Sequence, residues 1–123
     1  MFNILVTEDD TNARKLLREL LKREGYIVFC AVNGNEALEV MDEQHIDLIV
    51  LDIMMPEMDG YRLTTEIRND PRLRDLYVVM HTSLSGSFNA AMVEKVGCDN
   101  FLSKFQPDRL ADVIHERLLV DES

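Results

Sequence analysis

The chain has 123 residues, enough for one domain with a real core and too few for two. Hydrophobic residues make up 46% and charged residues 29%, ordinary for a globular protein, while 23 acidic against 13 basic residues leave a formal net charge of −10. That balance argues against direct nucleic-acid binding, which relies on Lys and Arg, and suits a chain that meets other proteins or cations.

No apolar stretch approaches the roughly 18 residues of a membrane span, and Met1-Phe2-Asn3 begins no signal peptide. A cytoplasmic protein without a membrane partner is therefore expected. Cys30, inside a strand-like run, and Cys98, after a Gly, read as buried structural thiols rather than redox or metal groups.

Strand and helix patterns alternate along the chain. A strand over 2–7 leads into a helix from Asp10 to Arg23, whose Ala13, Leu16, Leu17, Leu20 and Leu21 follow the 3.6 period. Gly25 ends that helix, since glycine tolerates the left-handed cap conformation. The β-branched and aromatic run Tyr26 to Ala31 is a second strand, and Asn33-Gly34-Asn35 starts a helix carrying Ala37, Leu38 and Met41. A third strand over 47–51 ends at Asp52. A turn-rich loop, Met54 to Gly60, precedes a helix through Tyr61, Leu63, Thr64 and Ile67, broken at Asp70-Pro71.

Leu76 to Met80 is the fourth strand, and His81 to Ser87 a polar loop. A short helix with Ala91, Met92 and Val96 closes at Gly97, and Asn100-Phe101-Leu102 is a short fifth strand. Pro107 opens a last helix, with Leu110, Val113, Ile114 and Leu118 on one face. Five strands alternating with five helices predict an α/β fold: a doubly wound five-stranded parallel sheet, flavodoxin-like, in the order 2-1-3-4-5.

In that order the first and third strands are neighbours, and ligands bind beyond their carboxyl ends. Glu8, Asp9 and Asp52 then share one edge. Like charges held that close need a cation, and hard oxygen donors with room for water suit Mg²⁺. The bland alternative is that Asp9 or Asp10 caps the first helix while Glu8 is solvated. Thr82 and Lys104 follow the fourth and fifth strands and reach the same edge. A carboxylate nucleophile, Mg²⁺, a hydroxyl and an ammonium are what phosphoryl transfer needs.

These stretches carry a resemblance: Ile4 to Asp10, Leu48 to Gly60, Val78 to Ser83, and Phe101 to Lys104. In this order and spacing the chain resembles a receiver domain of bacterial two-component response regulators over 1–123. The resemblance implies a phosphorylation-dependent switch rather than an enzyme, with Asp52 taking a phosphoryl group from a histidine kinase. It implies Asp9 as the direct Mg²⁺ ligand, Glu8 acting through water, and a backbone carbonyl from Met54. Thr82 matches the hydroxyl that moves toward the phosphoryl group, Lys104 its charge partner, and Phe101 the aromatic that turns inward as Thr82 moves. The face built from the fourth helix, fifth strand and fifth helix would then change its affinity for an unnamed protein target. A monomer or weak dimer in chemotaxis or transcriptional signalling is expected.

The pattern departs after Lys104, where Phe105 stands in place of the usual Pro and Pro107 comes two residues later. The second half, with Ser83-Leu84-Ser85 and Lys104-Phe105-Gln106-Pro107, resembles receivers of chemotaxis coupling proteins. The first half resembles receivers of transcriptional regulators, as in a natural mosaic or engineered chimera joined between 60 and 75. Met54 and Leu84, two residues after Asp52 and Thr82, match positions that in receivers flank the path of attacking water; both are apolar, so the resemblance implies a long-lived acyl phosphate.

The competing readings are a haloacid-dehalogenase-type phosphatase, a flavodoxin-type electron carrier and a receiver-like binding module without efficient phosphorylation. Met54 stands where the phosphatase wants a second Asp, and Glu8-Asp9-Asp10 would repel a flavin phosphate. The binding module stays open through Phe105.

Overall fold

Apolar side chains at alternate positions of β1 (Asn3–Thr7) and β3 (Leu48–Asp52) fall into two separate clusters, as the period-2 geometry of a strand demands. Leu5, Ile49 and Leu51 face one way; Ile4, Val6, Leu48 and Val50 face the other. Both faces are buried, so these strands read as continuous apolar runs rather than as polar-apolar alternation. This computed structural model describes residues 2–53, 58–82, 95, 97–103 and 107–122.

The remaining strands are β2 (Ile27–Ala31), β4 (Tyr77–Thr82) and β5 (Asn100–Ser103). All pairings are parallel and the order is β2-β1-β3-β4-β5, as expected. Helices α1 (Thr11–Arg23), α2 (Gly34–Glu43), α3 (Gly60–Asn69) and α4 (Pro107–Glu122) complete the described elements. Leu17 and Leu21 of α1 and Leu110, Ile114 and Leu118 of α4 pack on the Ile4 side of the sheet. Ala37 and Met41 of α2 and Leu63 and Ile67 of α3 pack on the Leu5 side.

The helix count is a correction: the described residues form four helices, not five. The short helix expected near Ala91, Met92 and Val96 falls on residues outside those described; Lys95, which is described, is helical. The sequence there was a weak basis for a helix. The apolar pattern from Ala91 to Val96 spans only six residues, below the length at which an isolated helix sustains itself. The fourth strand also runs further than expected, to Thr82, which brings His81 into the sheet.

Local signals account for the helix ends. Asp10, Asn33 and Asp59 each accept a hydrogen bond from the backbone N–H three residues on, at 2.8–3.0 Å. Gly25, at φ 96°, takes the left-handed conformation after α1.

At the amino end of the sheet, Arg68 of α3 joins segments distant in sequence. It donates to the carbonyls of Arg74, Leu76 and Gly97 and to the Asp99 carboxylate, at 2.6–2.9 Å. The same Asp99 oxygen accepts from the Val78 N–H at 2.8 Å. Charge-assisted bonds of this kind outweigh neutral ones, so Arg68→Ala is expected to lower unfolding free energy by about 1–3 kcal/mol in urea titration. An unchanged midpoint would show these bonds to be energetically silent.

The two cysteines are half-buried and unbridged, and burial pushes both thiols above the ordinary cysteine range. They are thus neutral at physiological pH, consistent with structural thiols; Cys98 donates to the Asn100 carbonyl at 2.8 Å.

Candidate metal centre

β1 delivers Glu8 and Asp9 at its exit, and β3 delivers Asp52 as its last residue. Thr7 pairs in register with Leu51, so Glu8 follows on beside Asp52. One carboxylate oxygen from each of Glu8, Asp9 and Asp52 lies within 4.8 Å of the other two. Glu8 is fully buried and Asp52 only 3% exposed, whereas Asp9 faces solvent.

Three carboxylates at this separation repel one another strongly where water is scarce, by about 4 kcal/mol per pair at 4 Å and an effective dielectric of 20. A divalent cation reverses that sign. The donors are hard oxygens, they are few, and the exposed side at Asp9 leaves room for water. This fits Mg²⁺, which holds an octahedral shell and keeps several of its waters. Glu8, Asp9 and Asp52 are therefore a candidate Mg²⁺ site on the observed geometry.

Asp10 is separate from this set. It caps α1, accepting from Ala13 at 3.0 Å, so the capping alternative holds for Asp10 while Glu8 and Asp9 remain grouped with Asp52. Two further groups hold the loop in place. The Glu8 side chain accepts from the Asp10 N–H at 3.2 Å, and the Arg14 guanidinium donates to the carbonyls of Glu8 and Asp9 at 2.9 and 3.3 Å. On the other side, the Gly60 N–H donates to the Ile53 carbonyl at 3.0 Å, pressing the start of α3 against the strand end that carries Asp52.

The other expected site residues divide. Thr82 ends β4, paired in register with Ser103 at the end of β5, so its backbone reaches the same sheet edge. Phe101 is partly buried against the cluster that includes Met80, its register partner. Met54 and Lys104 lie outside the described residues, as do Leu84, Phe105 and the Lys104-Phe105 bond.

Arg14, Gly60 and His81 were missed in the sequence. Arg14 looks like any solvated helix arginine, and a glycine after Asp59 looks like a turn residue. His81 is 5% exposed within β4, with Nε2 4.0 Å from Glu8 Oε1. Its polarity placed it in a loop, although alternation from Val79 would have set it on the same face as Asp52.

Among the described residues no helix is long and apolar enough to cross a membrane. The family model described as the response regulator receiver domain matches residues 4–115, across the region where two halves were expected to join. The chain is 38% identical over 109 residues to "Probable transcriptional regulator ycf27" of Cyanidium caldarium, covering 88% of this chain and 43% of that protein. It is 34% identical to Protein PilG of Pseudomonas aeruginosa, covering 90% of this chain and 83% of PilG. Among solved structures, response regulator TrrA of Thermotoga maritima, in complex with Mg²⁺ and BeF, superimposes with a TM-score of 0.84 at 33% identity. That match covers 94% of this chain and 98% of TrrA. The chain thus spans less than half the length of the ycf27 relative and most of the other two.

Proposed function

Because the chain belongs to the response regulator receiver domain family, we propose that Asp52 accepts a phosphoryl group from a histidine kinase and that residues 1–123 act as one receiver domain. The observation that carries this reading is the convergence of Glu8, Asp9 and Asp52 at the carboxyl edge of adjacent strands. Receiver domains are phosphoacceptors in signalling, not turnover enzymes. That the similar TrrA structure is in complex with Mg²⁺ and BeF supports Mg²⁺ as the cation of this chain.

In the proposed step an Asp52 carboxylate oxygen forms a bond to phosphorus as the phosphorus–nitrogen bond of a phosphohistidine breaks. The imidazole leaves with the bonding pair and takes up a proton. Asp9 and Glu8 would hold Mg²⁺, Asp9 directly and Glu8 through water, with the Met54 carbonyl as a further ligand. When bound, Mg²⁺ supplies positive charge to the phosphoryl oxygens. The Asp52 carboxylate is held by β3, so little reorganisation separates it from an attacking geometry. Arg14 keeps the Glu8-Asp9 backbone in place from α1.

Downstream, Thr82 and Lys104 would draw toward the new phosphoryl charge, and Phe101 would fill the space that Thr82 leaves at the end of β4. The response is a shift between two packings of the β5 and α4 face, and a protein target that prefers one of them reads it. With a net charge of −10, that target is a protein and not nucleic acid. A single family match through residues 60–75 supports one receiver rather than a chimera of two.

The reading is tested with acetyl phosphate and Mg²⁺ followed by intact-mass measurement. One phosphoryl adduct is expected, lost when Mg²⁺ is removed by chelation and decaying over minutes or longer after the donor is withdrawn. No adduct would favour a binding module, and decay within seconds would overturn the long-lived acyl phosphate.

A further inference from the structure

Helix α1 carries a basic stripe beside the edge strand β2. Arg14, Arg18 and Lys22 follow one another at four-residue spacing, which stacks them on one face of the helix. Like charges stacked this way repel and weaken a helix. Facing them, Cys30 of β2 is half-buried; burial raises its thiol pKa, and the charges of Arg18, Arg14 and Lys22 oppose that rise. Because β2 ends the sheet, no further strand covers this side.

Between the two elements lies a cavity of about 210 Å³, lined by Thr11, Arg14, Lys15, Arg18 and Cys30. Among the described residues its wall holds three cations, a hydroxyl and a thiol, and no carboxylate. That concentration of positive charge runs against a chain whose net charge is −10. Arg18 Nη2 approaches Glu19 Oε1 at 3.7 Å, but both side chains reach solvent and water screens the pair. Arg18 Nε is different: it is closed from solvent and has no hydrogen-bond partner among the described residues. A guanidinium N–H left in that state costs free energy, which an acceptor in the cavity would recover.

We propose that this cavity binds a small phosphate-bearing anion of about diphosphate size, held by Arg18 and Arg14 with Lys15 adding charge and Thr11 a hydroxyl. The volume sets the size. Sites for drug-sized ligands run to about 300–1,000 Å³, so a cavity of about 210 Å³ takes phosphate groups and little more. Guanidinium forks suit the chemistry, because their paired N–H donors match the oxygens of a phosphate. The site needs no metal and is separate from the acidic edge, yet it touches that edge through Arg14. Arg14 Nη1 donates to the carbonyls of Glu8 and Asp9, so an anion that draws Arg14 pulls on the backbone carrying both acids.

The test is a titration of inorganic pyrophosphate into the full chain labelled with nitrogen-15, in metal-free buffer at low salt. Without a divalent ion the three carboxylates repel the probe, so the Asp52 edge does not contribute. The Nε–H signals of Arg18 and Arg14 are expected to shift and saturate, with the amide signals of Glu8 and Asp9 following. The signal of Arg72, which is exposed and paired with Asp42 and Asp70, should stay in place. By calorimetry, Arg18→Gln is expected to weaken pyrophosphate binding about tenfold or more, and Arg72→Gln to leave it within about twofold. Shifts that never saturate, or that spread evenly over Arg14, Arg18 and Arg72, would mean general charge attraction and overturn the site. Equal affinity in Arg18→Gln and wild type would overturn it too. Fixed Glu8 and Asp9 signals beside a responding Arg18 would overturn the link to the acidic loop. The wild-type titration decides the question even if Arg18→Gln fails to fold, and none of these outcomes bears on phosphorylation of Asp52.

Discussion

Asp52→Asn is expected to abolish the phosphoryl adduct entirely and, in metal-free protein, to raise stability by about 1–2 kcal/mol. Both effects come from one carboxylate. The amide nitrogen and oxygen that replace it cannot form the acyl phosphate, so loss of the adduct should be complete and not graded. The gain in stability follows because Asp52 is 3% exposed and its oxygen lies within 4.8 Å of carboxylate oxygens of Glu8 and Asp9. Removing one of three crowded charges relieves repulsion that solvent screens poorly. The two outcomes are read separately, by intact mass after acetyl phosphate treatment and by urea unfolding with chelator present. The sign should reverse with saturating Mg²⁺, where the wild-type protein gains binding free energy that the variant largely lacks. An adduct of undiminished yield would place the phosphoacceptor elsewhere. A variant less stable than wild type without metal would mean the three charges are compensated within the protein.

Gly60→Ala is expected to cost about 2–4 kcal/mol and to slow phosphorylation at Asp52, although residue 60 touches neither phosphoryl donor nor cation. A Cβ at this position would lie 2.5 Å from the Asp52 carbonyl oxygen and 2.9 Å from both the Ile53 Cα and Leu51 Cδ1. Two of those three atoms are backbone and cannot swing away. Overpacking of a closed core costs about 1–3 kcal/mol, and here the Gly60 N–H bond to the Ile53 carbonyl is endangered too. Relief requires α3 to retreat or the end of β3 to shift, and a shift of β3 moves Asp52. Reactivity toward acetyl phosphate should therefore fall by about tenfold or more even at temperatures where the variant stays folded. Thermal melting and the rate of adduct formation measure the two parts. Wild-type stability would show that the contact relaxes freely, and a wild-type rate with reduced stability would uncouple the packing of α3 from the site.

Gly60 also shows the limit of what can be read from a chain of letters. The carboxylates were legible because each sits at the polar end of an apolar run, and the order of strands follows from alternation and crossover handedness. Glu8, Asp9 and Asp52 could be grouped with no side-chain detail. Gly60 carries no such mark, because its importance comes from Asp52 and Ile53, eight and seven residues back at the end of β3, which packs against it. Arg68 is the same: its partners at 74, 76, 97 and 99 follow no periodicity. His81 was misread for a different reason. A polar residue after the five-residue run Leu76 to Met80 looks like the end of a strand, yet the sheet continues to Thr82 because β4 pairs with both β3 and β5.

What the sequence determined by itself was the alternation of strands and helices, the parallel order and the convergence of acids on one edge, because those depend on residue spacing along the chain. What only the tertiary structure decided was which neighbours those acids have. Glu8 is closed from solvent and faces His81, Arg14 holds the backbone beneath it, and α3 approaches Asp52 so closely that only glycine fits. Those are contacts between elements, set by how two covered faces and five strand ends pack in space, and no local pattern encodes them.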